Sequence, residues 1–256
     1  MYNTNGIVIR VSPYGENSRV LTILTERGNT LTATVRGSSK VSSQNIGGTQ
    51  LFAYSSFSFD RKKDWYYLRS SEPLHTFYGL RDDLKKLALA SYFLQILLEC
   101  VTEEEEAPEL IRLVLNSLHF LETGKRQSAA LLKSIFELRF LSETGFTPDV
   151  LACAVCGEYL PEDIRFLMKS GNFVCKTCLS KLKQGSILGE NIFHMSGACL
   201  HAVRYIVLSD IEKIFAFRLS KTCENELAAF SEKFISWRLS KNFTALDFYR
   251  KVSPVK

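Results

Sequence analysis

Cysteine spacing constrains this chain more than any other feature. Cys153-Ala-Val-Cys156 and Cys175-Lys-Thr-Cys178 form two C-x2-C pairs with 18 residues between them. That is the spacing of a zinc site. Two residues between thiolates let the backbone turn so that both sulfurs face one ion, and a second such turn completes a tetrahedral shell. Gly157 suits the tight turn that exposes amides to sulfur. Four thiolates leave no position open for water, so the site reads as structural and non-catalytic. An ion held this way contributes roughly 10–16 kcal/mol to local folding in isolated modules. Between the pairs the apolar residues are few, namely Leu160, Ile164, Phe166, Leu167 and Phe173, so this segment is expected to need the metal to hold its shape. One pair alone would leave a redox role open. Two point to one zinc ion on Cys153, Cys156, Cys175 and Cys178, and no H-x-E precedes them as a zinc deaminase requires. The other three thiols, Cys100, Cys199 and Cys223, read as buried residues of a reducing compartment.

The first 72 residues read as strands. Ile7, Ile9 and Val11 alternate with more polar neighbours, Arg19–Thr25 follows a turn at 13–16, and Thr30–Val35 alternates cleanly after Gly28-Asn29. A Ser/Gly-rich loop spans 37–48, and strands resume over 51–59 and 65–70 around a charged turn at 60–64. Five short strands must hide their edges, and closure does so most completely, so a five-stranded OB-fold barrel is expected, with an SH3-like barrel as competitor. From Leu80 the period becomes helical, with Leu80, Leu84, Leu87, Ser91, Leu94, Leu98 and Val101 on one stripe. Further helices are expected from Pro108 to Gly124, over about 127–144, over 197–208 with Ser196 as N-cap, from Asp210 to Leu219, and over 224–239 with Leu227, Phe230, Phe234 and either Ile235 or Trp237 inward. The expected fold is therefore a multidomain α+β chain. Residues 1–79 form the barrel, and 80–256 form a helical domain with a four-cysteine zinc-finger insertion at about 149–182.

The net charge of +5 decides little, but its distribution is uneven: +4 over residues 1–79, −4 over 80–150 and +5 over 151–256. Arg10, Arg19, Arg27, Arg36 and Lys40 are opposed through residue 43 only by Glu16 and Glu26. Arg61-Lys-Lys63 adds a second basic cluster, and Phe52, Tyr54, Phe57, Phe59, Trp65, Tyr66 and Tyr67 lie on either side of it. Cations beside stacking rings suit single-stranded nucleic acid, although Phe57, Phe59 and Trp65 read first as barrel core. Glu103–Glu106 reads as a solvated loop. His75, His119, His194 and His201 sit in no catalytic context, and no Walker A loop or G-x-G-x-x-G is present. The chain is therefore not expected to be an enzyme. The longest mostly apolar stretch, 87–98, is too short to span a bilayer, and no segment resembles a targeting signal. The expectation is a soluble, cytoplasmic protein.

Several segments occur in an order that resembles the bacterial RecO recombination mediators. They are Gly6-Ile-Val-Ile-Arg10, Tyr14-Gly-Glu16, Arg19–Thr25, Gly28, Val35-Arg-Gly37 followed by a polar loop to Leu51-Phe52, the cysteine pairs, and the closing Ala245-Leu-Asp-Phe-Tyr249. The resemblance spans nearly the whole chain. It implies binding of single- and double-stranded DNA, annealing of complementary strands, and cooperation with RecR. It also implies contact with single-stranded DNA-binding protein through its C-terminal tail, so that RecA loads indirectly, in the cytoplasm at the nucleoid. Arg36 and Lys40 match the family's basic loop, with Arg19 close by in sequence. This chain departs there, because residues 37–43 hold one Lys where many relatives carry a denser basic run. That shifts weight toward Arg61, Lys62, Lys63 and the basic C-terminal part, with Arg10 and Arg19 as further candidate DNA contacts. Some relatives lack the cysteines, so the metal reads as scaffold. The competing reading is a protein-interaction module that does not bind DNA.

Overall fold

Alternation of apolar and hydroxyl side chains produces β1 (Tyr2–Tyr14), β2 (Ser18–Thr25), β3 (Thr30–Arg36), β4 (Tyr54–Lys62) and β5 (Trp65–His75). A computed structural model describes residues 1–36, 43–125, 127–182 and 189–253, with the side chains of 43–45 left aside. The five strands close into a barrel of order β1-β2-β3-β5-β4, an OB-fold-like arrangement. All neighbours are antiparallel except β3 and β5, which pair in parallel through Ala33–Tyr66 and Thr34–Tyr67. Closure leaves no unpaired edge. Val8, Leu21, Ile23, Leu31, Ala33, Val35, Phe57 and Phe59 fill the interior.

Three local expectations change in this part. The stretch read as loop up to Gly48 contains a short helix, α1 (Ser43–Gly48). Its end is seated on β4 by a Ser55 hydroxyl that donates to the Gly48 carbonyl at 2.9 Å. The turn between β4 and β5 is only Lys63-Asp64, with Lys63 at φ 56°, because both strands run further than the charge pattern suggests. Trp65 is 59% exposed rather than in the core. Tyr66 and Leu68 pack against the barrel interior, so the strand period puts Trp65 outside.

The helices that follow are α2 (Leu84–Cys100), α3 (Glu109–Thr123) and, at the end of the chain, α8 (Thr244–Val252). Asp83 is the N-cap of α2 and accepts from the amides of Lys85 and Lys86. The stripe expected on α2 is buried in part, at Leu80 and Leu94, with Leu87, Ser91, Leu98 and Val101 half-buried. Ala88, Leu89, Tyr92, Phe93, Ile96 and Leu97 are inside, whereas Leu84 is 54% exposed. The helix is covered on more than one side, by α3 and α8 among others, with Tyr92 edge-on to Phe243 at 5.5 Å.

Contacts divide the chain into Met1–Thr123 with Phe243–Lys256, and Gly124–Asn242. A boundary at residue 79 follows the switch from strand to helix. The contacts instead place α2, α3 and α8 in the same unit as the barrel.

Within that first unit the acidic run is not a free loop. The Thr30 amide donates to the Thr102 carbonyl at 2.9 Å, Asn29 Nδ2 to the Glu103 carbonyl at 2.9 Å, and Arg27 Nη1 lies 3.1 Å from Glu106 Oε1. Gly28, at φ +78°, makes this approach feasible, because a Cβ there would lie 1.8 Å from the Ala107 carbonyl oxygen. Gly28→Ala is expected to cost at least about 2 kcal/mol in urea denaturation, through a left-handed conformation and a forced shift of the 102–107 segment. Gly15 has a similar φ of +62° but nothing within 4 Å, so Gly15→Asn should cost under about 1 kcal/mol.

The second unit holds α4 (Ala129–Glu143), β6 (Ile164–Leu167), β7 (Asn172–Cys175), α5 (Lys176–Lys181), β8 (Ile192–Met195), α6 (Gly197–Leu208) and α7 (Lys221–Leu239). Ser128, Ser196 and Ser220 cap α4, α6 and α7, each accepting from the amide three residues on. Inward on α7 are Leu227, Phe230, Phe234 and Ile235, while Trp237 is exposed. No helix starts at Asp210. The bonds there skip three residues, from the Lys213 amide to the Asp210 carbonyl and from the Ala216 amide to the Lys213 carbonyl. The Asp210 carboxylate is held by Lys213 Nζ at 2.7 Å instead of capping a turn. Strands β6, β7 and β8 form a small sheet with β6 central. Its inner face is better packed than the sequence suggests. Phe166 meets Phe230 at 4.9 Å and Phe234 at 5.3 Å on α7, and Ile164, Phe173 and Val174 are buried beside it. Leu160 is exposed.

Candidate functional site

The two cysteine pairs are presented by different local structures. In the first, the Gly157 amide donates to the Cys153 carbonyl and the Cys153 amide to the Glu158 carbonyl, both at 2.9 Å. Gly157 at φ +75° lets this turn close. In the second, β7 ends at Cys175, whose sulfur caps α5 by accepting from the Cys178 amide at 3.4 Å. The Cys175 amide in turn donates to Cys153 Sγ at 3.3 Å. The four sulfurs converge, all lying within 4.8 Å of one another, with Cys156 and Cys175 Sγ 3.9 Å apart. A tetrahedral ion with metal–sulfur bonds of about 2.3 Å sets its sulfurs about 3.8 Å apart. The donor set therefore fits a single metal ion.

Electrostatics at the cluster favour a thiolate at one position. Burial opposes ionisation of Cys153, but amides of Cys156, Cys175 and Val155 aimed at its sulfur bring its pKa down to about 6. Cys178 is pushed up to about 12, first by its hydrogen bond with Cys175 and then by burial. Metal binding to four thiolates displaces such protons.

Arg204 on α6 supports the first pair and was not anticipated. It donates to the carbonyls of Val150, Leu151 and Tyr159, and its guanidinium lies 3.8 Å from the centre of the Tyr159 ring. The loop that carries Cys153 and Cys156 is thus pinned at both ends by one buried cation. The signal in the sequence is an arginine inside the apolar run Ala198–Leu208.

On the barrel, strand pairing decides which cations share a surface. A β-bulge between Val8 and Arg10 reverses the side-chain alternation. Arg10 then lies opposite Thr22, and Thr22 opposite Thr32, on the outer face. Ser18 pairs with Arg36, Val20 with Thr34 and Thr34 with Tyr67, so Arg36 and Tyr67 share that face. The Arg36 guanidinium stacks 4.2 Å from the centre of the Tyr67 ring. Lys62 lies opposite Trp65 and belongs to the same surface. Arg19 pairs with the buried Val35, and Arg61 with Tyr66. Both therefore follow the inward parity and sit at the barrel mouth. Lys63 is in the turn. Lys40 lies outside the described residues. The outer face thus carries Arg36 on Tyr67 and Lys62 beside Trp65, with Arg10 on the same face two strands from Arg36, while Arg19 and Arg61 follow the inward parity.

Sequence comparison matches residues 1–77 to the family model described as recombination protein O N terminal, and residues 81–247 to recombination protein O C terminal. The chain belongs to the recombination protein O family. It is 32% identical to the DNA repair protein RecO of Acetivibrio thermocellus, over 99% of this chain and 98% of that one. The DNA repair proteins RecO of Alkaliphilus metalliredigens and Caldicellulosiruptor saccharolyticus are 27% and 26% identical, over 98% and 96% of this chain and 100% and 96% of theirs. The two family models meet between residues 77 and 81, where strand gives way to helix. The C-terminal RecO model takes in both the cysteine cluster and the first four residues of α8. Among the described residues no helix is long and apolar enough to cross a membrane.

Proposed function

We propose that this protein is a DNA-repair mediator that binds nucleic acid on the outer face of its barrel and catalyses no covalent chemistry. The observation that carries the reading is an outer face that bears Arg36 stacked on Tyr67, Lys62 opposite the exposed Trp65, and Arg10, in a chain of the RecO family. Guanidinium and ammonium groups neutralise phosphates, and exposed rings accept unstacked bases. In this reading the protein anneals complementary single strands. With RecR it helps RecA onto DNA coated by single-stranded DNA-binding protein, whose C-terminal tail it contacts. It also binds duplex DNA and acts in the cytoplasm at the nucleoid. Residues 1–79 serve as the nucleic-acid-binding domain, and 80–256 as the helical domain around the zinc insertion. Zinc on Cys153, Cys156, Cys175 and Cys178 is the ion that four thiolates select, and it acts as scaffold. Arg19, Lys40, Arg61 and Lys63 are further cations of the nucleic-acid-binding domain and add steering more than contact.

The test is fluorescence anisotropy of a labelled single-stranded oligonucleotide across a salt series. The log–log slope should fall by about 0.7 for each phosphate contact removed. Arg10→Ala with Arg36→Ala is expected to flatten the slope by about 1.4 on that basis. Arg19→Ala should change it by less than half of one contact. Binding that is salt-sensitive but indifferent to Arg10 and Arg36 would move the site elsewhere. No binding at low salt would favour a docking module.

A further inference from the structure

Arg204 is a buried cation that touches both halves of the cysteine cluster. It is 4% exposed. Its Nε donates to the Val150 carbonyl, and Nη2 alone donates to the carbonyls of Leu151, at 2.8 Å, and Tyr159. One nitrogen thus joins the two ends of the segment that carries Cys153 and Cys156. The guanidinium also lies 3.8 Å from the centre of the Tyr159 ring and 5.9 Å from that of Phe173. Phe173 is on β7, two residues before Cys175, and its carbonyl accepts from the Ala154 amide at 2.9 Å. Among the described residues no carboxylate pairs with Arg204, and its Nη1 is buried without a hydrogen-bond partner. Neutral donors would satisfy three carbonyls. A guanidinium is always charged, and burying a charge without a counter-charge is costly.

We propose that Arg204 is a positioning residue of the metal centre, so that the affinity of the chain for its ion is set from α6 as well as by the four sulfurs. This rests on the reading that the cysteines hold zinc, and not on the nucleic-acid reading. Two effects act together. The first is geometric. Closing the ends of the 151–159 segment on one side chain, and keeping the Phe173 end of β7 against it, shortens the search of each C-x2-C pair for the other. The second is electrostatic. A divalent ion on four thiolates carries a net charge of about −2, and Cys153 lies two residues beyond Leu151. The loaded centre is therefore the counter-charge that Arg204 lacks among side chains. Residues that orient ligands from outside the ligand set are worth about 10–100-fold in metal affinity.

The test is competition for zinc between the full chain and a chromophoric chelator, with absorption spectra of the same proteins loaded with cobalt. The variants are Arg204→Met, Arg204→Lys and, as a matched control, Arg139→Met. Arg139 also holds three carbonyls, those of Ile206, Val207 and Ser209, but at the C-terminal end of α6 instead of in the cysteine loop. Arg204→Met is expected to weaken zinc binding about thirtyfold. Its thiolate-to-cobalt absorption should be weaker at equal loading, because the first pair is no longer held in place. Arg204→Lys should weaken binding about tenfold, since an ammonium keeps the charge but not the planar fork or the ring stack. Arg139→Met should change affinity by less than about twofold and leave the cobalt spectrum as it is. Equal losses from Arg204→Met and Arg139→Met would mean that affinity follows the stability of the whole unit, and would overturn the role. If Arg204→Met does not fold, Arg204→Lys decides, and wild-type affinity there overturns the role. If the wild type takes up neither zinc nor cobalt, the metal reading fails and the role falls with it. If the wild type binds and both Arg204 variants match it, only the role of Arg204 fails.

Discussion

Stripping the metal with a strong chelator at neutral pH is expected to unfold α5 and the turn at Cys153–Gly157 while the rest of the cysteine-bearing sheet persists. The asymmetry follows from what else holds each part. Helix α5 has six residues, its only buried one is Cys178, and its N-cap is the sulfur of Cys175. So short a helix has no stability of its own. By contrast, β6 and β7 are seated through Phe166 on Phe230 and Phe234, and Arg204 retains the carbonyls of Val150, Leu151 and Tyr159. Isolated zinc modules lose roughly 10–16 kcal/mol with their ion and unfold completely. Here part of that scaffold is replaced by apolar packing, so the loss should be local. Hydrogen exchange is expected to show protection lost first over 175–181, with mass spectrometry showing one zinc per chain before chelation and none after. Cys175→Ala should do the same without chelator, because it removes both a ligand and the helix cap. A purified protein with no bound zinc, or one whose exchange pattern ignores the chelator, would sink the assignment.

That contrast also marks where the sequence is readable. Cys153, Cys156, Cys175 and Cys178 could be grouped in advance because spacing along the chain is what lets two turns share an ion. Arg204 could not, since it acts on carbonyls 45 to 54 residues away in sequence. The strands announce themselves through alternation, yet the face a residue occupies depends on pairing. Arg10 joins the surface of Thr22 only because a bulge at Val8/Arg10 reverses the parity, and nothing local signals the bulge. Trp65-Tyr-Tyr-Leu68 is apolar throughout, so its period has no phase until β5 docks and turns Tyr66 and Leu68 inward. On α2 the same ambiguity has another origin. A helix covered on more than one side has no single stripe, so Leu94 of the regular leucines is buried together with Ala88, Leu89, Tyr92, Phe93, Ile96 and Leu97 beside it. Glu103–Glu106 reads as solvated because composition reports charge and not tethering. Helix α8, nine residues long, is recognisable in sequence only as a resemblance to the family's closing segment.

Lys133→Ala is expected to destabilise the unit containing α4 and α7 by about 3–5 kcal/mol, the range for leaving one partner of a buried ion pair alone. Lys133 is 4% exposed and Glu137 0%. The ammonium lies 2.9 Å from Glu137 Oε1 and 2.8 Å from Glu232 Oε2, and Glu137 Oε2 accepts from the Ser231 hydroxyl at 2.6 Å. Removing Lys133 takes the ammonium from a fully buried carboxylate, which the Ser231 hydroxyl continues to hold. Replacing both partners, Lys133→Met with Glu137→Leu, should recover most of the loss, because two desolvation penalties vanish together. Ser231 then keeps its bond to the Ala228 carbonyl. The pH dependence has a definite sign. Burial opposes the charged form of Lys133, but the carboxylates of Glu137 and Glu232 outweigh it and raise its pKa in the folded protein. A raised folded pKa stabilises fully below the unfolded value of about 10.4 and is lost as pH climbs through the folded one. The contribution of the Lys133 ammonium should therefore be flat across neutral pH and be lost, on the alkaline side, in strong alkali. Urea denaturation of the two variants at pH 7 decides the matter. A cost below about 1 kcal/mol for Lys133→Ala would mean that water reaches Glu137 and that the pair is not a buried one. A double variant as weak as the single would mean that the pair also fixes how α4 sits on α7, a role that apolar side chains of similar volume do not replace.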